Sequence, residues 1–93
     1  MSLRFEWDPK KANQTKHDVS FKEAVTVFAD PLARIFPAEE HSVDELREII
    51  IGYSARHRLV LVNFTAINSN VRIISARNAT RQERKDYEEN VGS

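Results

Sequence analysis

The sequence predicts an α+β fold, with helices packed on an antiparallel sheet, and three observations predict it. Two capping boxes, Ser20-Phe21-Lys22-Glu23 and Thr80-Arg81-Gln82-Glu83, mark helix starts. Between them lie β-branched runs, Ile49-Ile50-Ile51, Leu59-Val60-Leu61-Val62 and Val71-Arg72-Ile73-Ile74, separated by short polar turns. The helical and strand patterns are segregated along the chain, in the order β-α-α-β-β-β-β-α, rather than alternating as in a parallel α/β fold.

The first element is Leu3-Arg4-Phe5-Glu6-Trp7, whose alternation of apolar and charged residues has the period of a half-buried strand. Asp8-Pro9 then opens a short polar helix to about Lys16, with Asp as N-cap and Pro in the first turn. The Ser20 capping box leads into an amphipathic helix with Phe21, Ala24, Val25 and Phe28 at helical spacing, ended by Asp30-Pro31. Ala33 to Pro37 reads as a short edge strand, given its proline. Glu45 to Tyr53 and Arg58 to Thr65 follow as strands, the second nearly continuously apolar, as in a central strand. With Val71 to Ser75 they make an antiparallel meander, joined by turns over 52–57 and 66–70. Thr80 opens a C-terminal helix to about Asn90 that has little to bury beyond Tyr87 and Val91. The expected architecture is therefore two N-terminal helices and one C-terminal helix on one antiparallel sheet.

At 93 residues the chain has room for a single domain, residues 1–93. The absence of cysteine excludes disulfides, thiolate metal sites and a cysteine nucleophile. Three scattered histidines make no recognisable metal site, two glycines make no phosphate-cradling loop, and no cofactor is expected. No run approaches the roughly 18 apolar residues of a membrane span. Met1 to Asp8 has no signal-peptide core, so no membrane partner and a cytoplasmic location are expected.

Charge is neutral overall but polarised along the chain. From Ser54 to Lys85 there are seven Lys/Arg against one acid, Glu83, whereas His17 to Tyr53 carries eight acids against three bases. The basic run contains Arg56, Arg58, Arg72, Arg77, Arg81, Arg84 and Lys85, and it makes a nucleic acid or another phosphate ligand the first hypothesis. Arg72 and Arg77 sit near the join between a strand and a helix N-terminus, where bidentate guanidinium forks suit phosphate. A salt bridge tying down the last helix is the structural reading of Arg77. Alternation along a regular strand points Arg72 and Arg77 to opposite faces unless a turn re-aims one of them. His57, in the basic turn Arg56-His57-Arg58, has the side chain suited to general acid–base work near neutrality, although a turn histidine is more often simply solvated. Tyr87 either docks the last helix or presents its hydroxyl or ring to RNA.

Laid out in order, these residues resemble a known family. Phe5-Glu6-Trp7-Asp8, Asn13, Lys16-His17, Val19-Ser20-Phe21, Glu23-Ala24 and Val27-Phe28 are similar to the amino-terminal signature of the BrnT toxins. His41-Ser42, Glu45, Arg47, the Gly52 turn, Arg72-Ile73-Ile74-Ser75-Ala76-Arg77, Ala79-Thr80, Glu83 and Tyr87 are similar to its carboxy-terminal half. The resemblance spans about residues 5 to 88. It implies a RelE-like fold and a ribonuclease toxin of a type II toxin–antitoxin pair that inhibits translation by cutting RNA. It also implies a BrnA-like antitoxin with a ribbon-helix-helix DNA-binding domain, through which alone the toxin reaches operator DNA.

For metal-independent cleavage of RNA, a base, a cation at the phosphate and an acid at the leaving oxygen are required. Arg77 and Arg72 are the expected phosphate ligands, with His57 and Tyr87 as further catalytic candidates. Lys16 and His17 join them on the family resemblance, and Arg56, Arg58, Arg81 and Arg84 are the expected RNA-binding cations. Two departures from the family pattern stand out. The turn Ala66-Ile67-Asn68-Ser69-Asn70 has no charge where the family usually carries an acidic-basic pair, and Asp18 replaces a glycine. The uncharged turn favours the alternative of a catalytically inert member that serves only as an antitoxin-binding or nucleic-acid-binding module.

Overall fold

The computed structural model describes residues 3–7, 19–38 and 47–91. Its elements are β1 (Arg4–Trp7), α1 (Phe21–Val27), β2 (Arg34–Pro37), β3 (Arg47–Tyr53), β4 (Leu59–Ile67), β5 (Asn70–Asn78) and α2 (Arg81–Val91). The expected helix over 9–16 lies outside the described residues. The strands form one five-stranded sheet in the order β1-β5-β4-β3-β2.

The β2–β3, β3–β4 and β4–β5 pairings are antiparallel, the last two across short turns. The sheet is nevertheless mixed, because β1 runs parallel to β5 with Phe5 opposite Val71 and Trp7 opposite Ile73. This corrects the expected antiparallel sheet. Alternation of residue type identifies a strand but carries no information on its direction. Direction is decided by packing: the parallel placement sets Phe5 against Phe28, ring centroids 5.1 Å apart, and Trp7 edge-on against Phe21 at 5.5 Å.

Two apolar clusters hold the sheet. On one face, Ala24 and Val27 of α1 pack on Ile50, Val60, Val62, Phe64, Val71, Ile73 and Ala76. On the other face a smaller cluster of Ile51, Leu59, Leu61 and Tyr87 seats α2. Gly52, expected in a turn, lies within β3, and the turn begins at Ser54. A Cβ at Gly52 would stand 2.8 Å from the Cβ of Ala33, so the close approach of the β2 segment requires glycine there.

The β4–β5 pairing contains an irregularity with functional weight. Asn63 faces Ser75 while Phe64 faces Ile73, so Ile74 is an extra residue in β5. Such a bulge inverts the alternation beyond it.

Candidate nucleic-acid interface

Residues directly opposite one another in a sheet share a face, so the register arranges the α2 side of the sheet into transverse rows. One row is Arg34, Ile51, Leu61 and Arg77; the next is Phe36, Ile49, Asn63 and Ser75; the third is Arg47, Thr65, Arg72 and Glu6. The Ile74 bulge therefore puts Arg72 and Arg77 on one face, where regular alternation would have separated them. They stand roughly 15 Å apart along the strand, at about 3.3 Å per residue.

Arg77 is the penultimate residue of β5, near the join as expected, and its guanidinium reaches the first turn of α2. Nη1 and Nη2 donate to the two carboxylate oxygens of Glu83 at 2.8 and 2.9 Å, and Nη1 also donates to the Asn78 carbonyl at 3.2 Å. Glu83 at the same time completes the capping box. Its backbone N–H donates to Thr80 Oγ1 at 3.1 Å, and its carboxylate accepts from the Thr80 N–H at 2.8 Å. The Arg77 guanidinium, with the Thr80 amide behind it, holds the Glu83 carboxyl at about 2 against an ordinary 4.5. The pair also raises Arg77 above its ordinary value. This is the helix-tying role, yet it uses three of five N–H groups. The Nε–H and one Nη2–H are left as a second fork on a side chain that is 43% exposed. Arg72 donates from Nε to Glu6 at 3.2 Å, and its side chain is exposed.

Between these arginines, Asn63 Nδ2 donates to Ser75 Oγ at 3.2 Å, and both residues are half-buried. Ile49 beside them is half-buried, and Phe36 at the sheet edge is 42% exposed.

The β3–β4 turn lies at the same end of the sheet as Arg77 and α2, since the Ala79 N–H donates to the Leu59 carbonyl. Arg58 is committed inward. Its Nε donates to Glu23 at 2.9 Å and its Nη2 forms a close ion pair with the same carboxylate, which also accepts from Ser54 Oγ at 2.6 Å. A buried carboxylate requires such partners, and Arg58 holds the Glu23 carboxyl below its ordinary range against the opposing effect of burial. The Ser20 capping box is thereby corrected by half. Ser20 Oγ accepts from the Glu23 N–H at 3.1 Å, but the Glu23 side chain turns to Arg58 instead of back to Ser20. Arg56 and His57 are exposed at the tip of the turn, with His57 in the left-handed region at φ 62°.

Tyr87 takes the docking role. It is buried, its ring packs edge-on against Tyr53 at 5.8 Å, and its hydroxyl donates to the Leu32 carbonyl at 3.0 Å. Burial, and then Asp30, raise its pKa. Arg81 and Arg84 are exposed on α2. Lys16 and His17 lie outside the described residues.

The polarisation along the chain does not survive folding intact, because Glu23 from its acidic stretch pairs with Arg58 and Glu6 from the N-terminal strand pairs with Arg72. Sequence reasoning also missed Asp30, which accepts from the Leu32 N–H at 2.9 Å and the Tyr53 N–H at 2.7 Å. It missed Asn63 as well. The signal for Asn63 was available: an amide in the middle of the run Leu-Val-Leu-Val-Asn-Phe-Thr breaks the preference of a central strand. Among the described residues no group of three His, Asp or Glu side chains is placed to hold a metal ion, and no helix is long and apolar enough to cross a membrane.

The model of one protein family, described as the ribonuclease toxin BrnT of type II toxin–antitoxin systems, matches residues 7–83. Among solved structures, the chain is similar to the 1.1 Å crystal structure of the Brucella abortus ribonuclease toxin BrnT, with a TM-score of 0.63 and 24% identity. That match covers 86% of this chain and 100% of the Brucella chain. A comparison with curated proteins gives no match.

Proposed function

Because the chain belongs to the BrnT family of ribonuclease toxins of type II toxin–antitoxin systems, we propose that it is a metal-independent endoribonuclease that grips RNA across the α2 side of its sheet. The observation that carries this reading is the Ile74 bulge, which places Arg72 and Arg77 on one face. Attack of a 2′-hydroxyl on the adjacent phosphorus forms one P–O bond and releases the 5′-oxygen, with a proton leaving the first oxygen and another reaching the second. Charge accumulates on the phosphoryl oxygens in between. A fixed guanidinium fork stabilises that charge without reorganising, which is why the Glu83 clamp on Arg77 is compatible with catalysis. His57, Lys16 and His17 are the candidates for the proton transfers. Arg56, Arg81 and Arg84 contribute backbone contacts around the site, while Arg58 acts through Glu23 to hold the turn.

In this reading the cut RNA halts translation, a BrnA-like ribbon-helix-helix antitoxin neutralises the toxin, and operator DNA is reached only through that antitoxin. The test is cleavage of purified total RNA with EDTA present. Removing a single oxyanion donor costs about 100-fold or more, so Arg77→Ala should lose cleavage on that scale while its circular dichroism is unchanged. A folded Arg77→Ala protein that cuts at the wild-type rate removes Arg77 from the site. One observation favours an inert antitoxin-binding module instead: the β4–β5 turn carries no charge and exposes Ile67. Such a module binds its antitoxin without arresting growth when expressed alone, whereas a toxin arrests growth and is rescued by the antitoxin.

A further inference from the structure

We propose that Asn63 reads an unpaired adenine, held between the two phosphate-binding arginines. The proposal rests on the RNA-binding reading of this face and adds to it a base-specific contact. Phosphate contacts position a strand but carry no sequence information; that comes from groups that meet base edges. Among the polar residues between the rows of Arg77 and Arg72, Asn63 has the chemistry to do so. Its one bond, from Nδ2 to Ser75 Oγ at 3.2 Å, fixes the amide plane and leaves a second N–H and the Oδ1 acceptor. The bond crosses between strands of the same sheet, so the amide is pre-oriented on a rigid element rather than on a loop.

An amide presents one donor beside one acceptor. Adenine is the base that answers this pattern on either exposed edge, since its N6 amino group lies between the acceptors N1 and N7. Guanine offers two acceptors, O6 and N7, on its N7 edge, and so matches on one edge at most. The rest of the row supports a base lying flat. Ile49 is directly opposite Asn63 on β3, and Phe36, 42% exposed, follows on β2, giving an apolar floor that ends in an aromatic face. Single-stranded bases are splayed onto sheet surfaces of this type by stacking, while cations hold the flanking phosphates.

The test is fluorescence anisotropy of the full chain with labelled hexamers of A, C, G and U at fixed salt, beside mapping of cut sites in total RNA. The wild type should bind the A hexamer severalfold more tightly than the others, because every base can meet an amide on its pairing edge but only adenine does so on its N7 edge as well. Asn63→Ala and Asn63→Asp should erase that preference, with the circular dichroism of Asn63→Ala unchanged. Phe36→Ala, at an exposed site, should weaken all four hexamers together, and Arg77→Ala should do the same with a shallower salt dependence. Equal wild-type affinity for all four, or an A preference that survives in Asn63→Ala, overturns the proposal and leaves the nuclease reading standing. An A preference that Asn63→Ala abolishes, in a protein that cuts no RNA, supports the adenine contact and overturns the nuclease reading. No binding to any hexamer overturns the adenine proposal, and no binding together with no cutting of total RNA overturns both.

Discussion

The two faces of the sheet are drawn from the same strands and do opposite things. In β4, Val60, Val62 and Phe64 point toward α1 and are buried, whereas Leu59, Leu61, Asn63 and Thr65 point to the side of α2. Toward α1, rings follow one another from Phe5 through Phe28 to Phe64 with centroids 5.1 Å apart, and nothing polar interrupts them. Toward α2, the fully buried seat ends after Leu61, and the rows beyond it keep Ile49 and Phe36 but also carry an amide, hydroxyls and guanidinium groups. Stability is concentrated on one face, which leaves the other free to hold residues that a core would reject.

The sharpest way to break this comparison is to truncate neighbours in β4. Phe64→Ala removes a buried ring and should cost about 4 kcal/mol, while Asn63→Ala on the opposite face should cost about 1 kcal/mol or less. Urea midpoints measure both, and equal costs would mean that the faces do not divide the labour.

A smaller effect comes from the ion pair beneath the β3–β4 turn. Breaking a buried pair costs roughly 3–5 kcal/mol, and Arg58 stays partly hydrated, so Glu23→Ala should cost about 2 kcal/mol. The sign with pH follows from the lowered pKa of Glu23. Its contribution is fully present above the ordinary value of 4.5 and is lost as pH falls through the lower folded value. An acid titration of stability that is the same for wild type and Glu23→Ala would show the pair to be neutral.

The smallest effect belongs to the clamp on α2. Glu83 titrates at about 2 when folded against 4.5 otherwise, so its contribution is complete above about pH 4.5 and is withdrawn between there and pH 2. The pair is partly exposed and screened, so Glu83→Gln should cost about 1 kcal/mol, seen as faster amide exchange confined to α2.

Local signals in the sequence carried a good part of this structure. Thr80 and Glu83 form the reciprocal cap that their spacing announced, the edge strand with its proline is β2, and the β3–β5 meander follows its turns. What was not legible depended on partners distant in sequence. Glu23 bonds Arg58, 35 positions on, in preference to its own helix end, and β1 chooses its direction from rings on α1. The candidate site was half legible for the same reason. Residue type marked Arg72 and Arg77, but the bulge that unites them exists only as a mismatch between two strands, and a single strand's sequence does not display it.

The parallel pairing of β1 also sets an order of events in synthesis. Glu6 meets Arg72 across 66 positions, so the strand made first is among the last to find its neighbour. A chain still emerging from the ribosome holds Phe5 and Trp7 without the strand that seats them, and the sheet closes only after β5 has been released. The row of Arg72, Thr65 and Glu6 is assembled in that same closing step. The face proposed to grip RNA is thus completed only when strands from distant parts of the chain have met, and a partly formed chain does not yet present it.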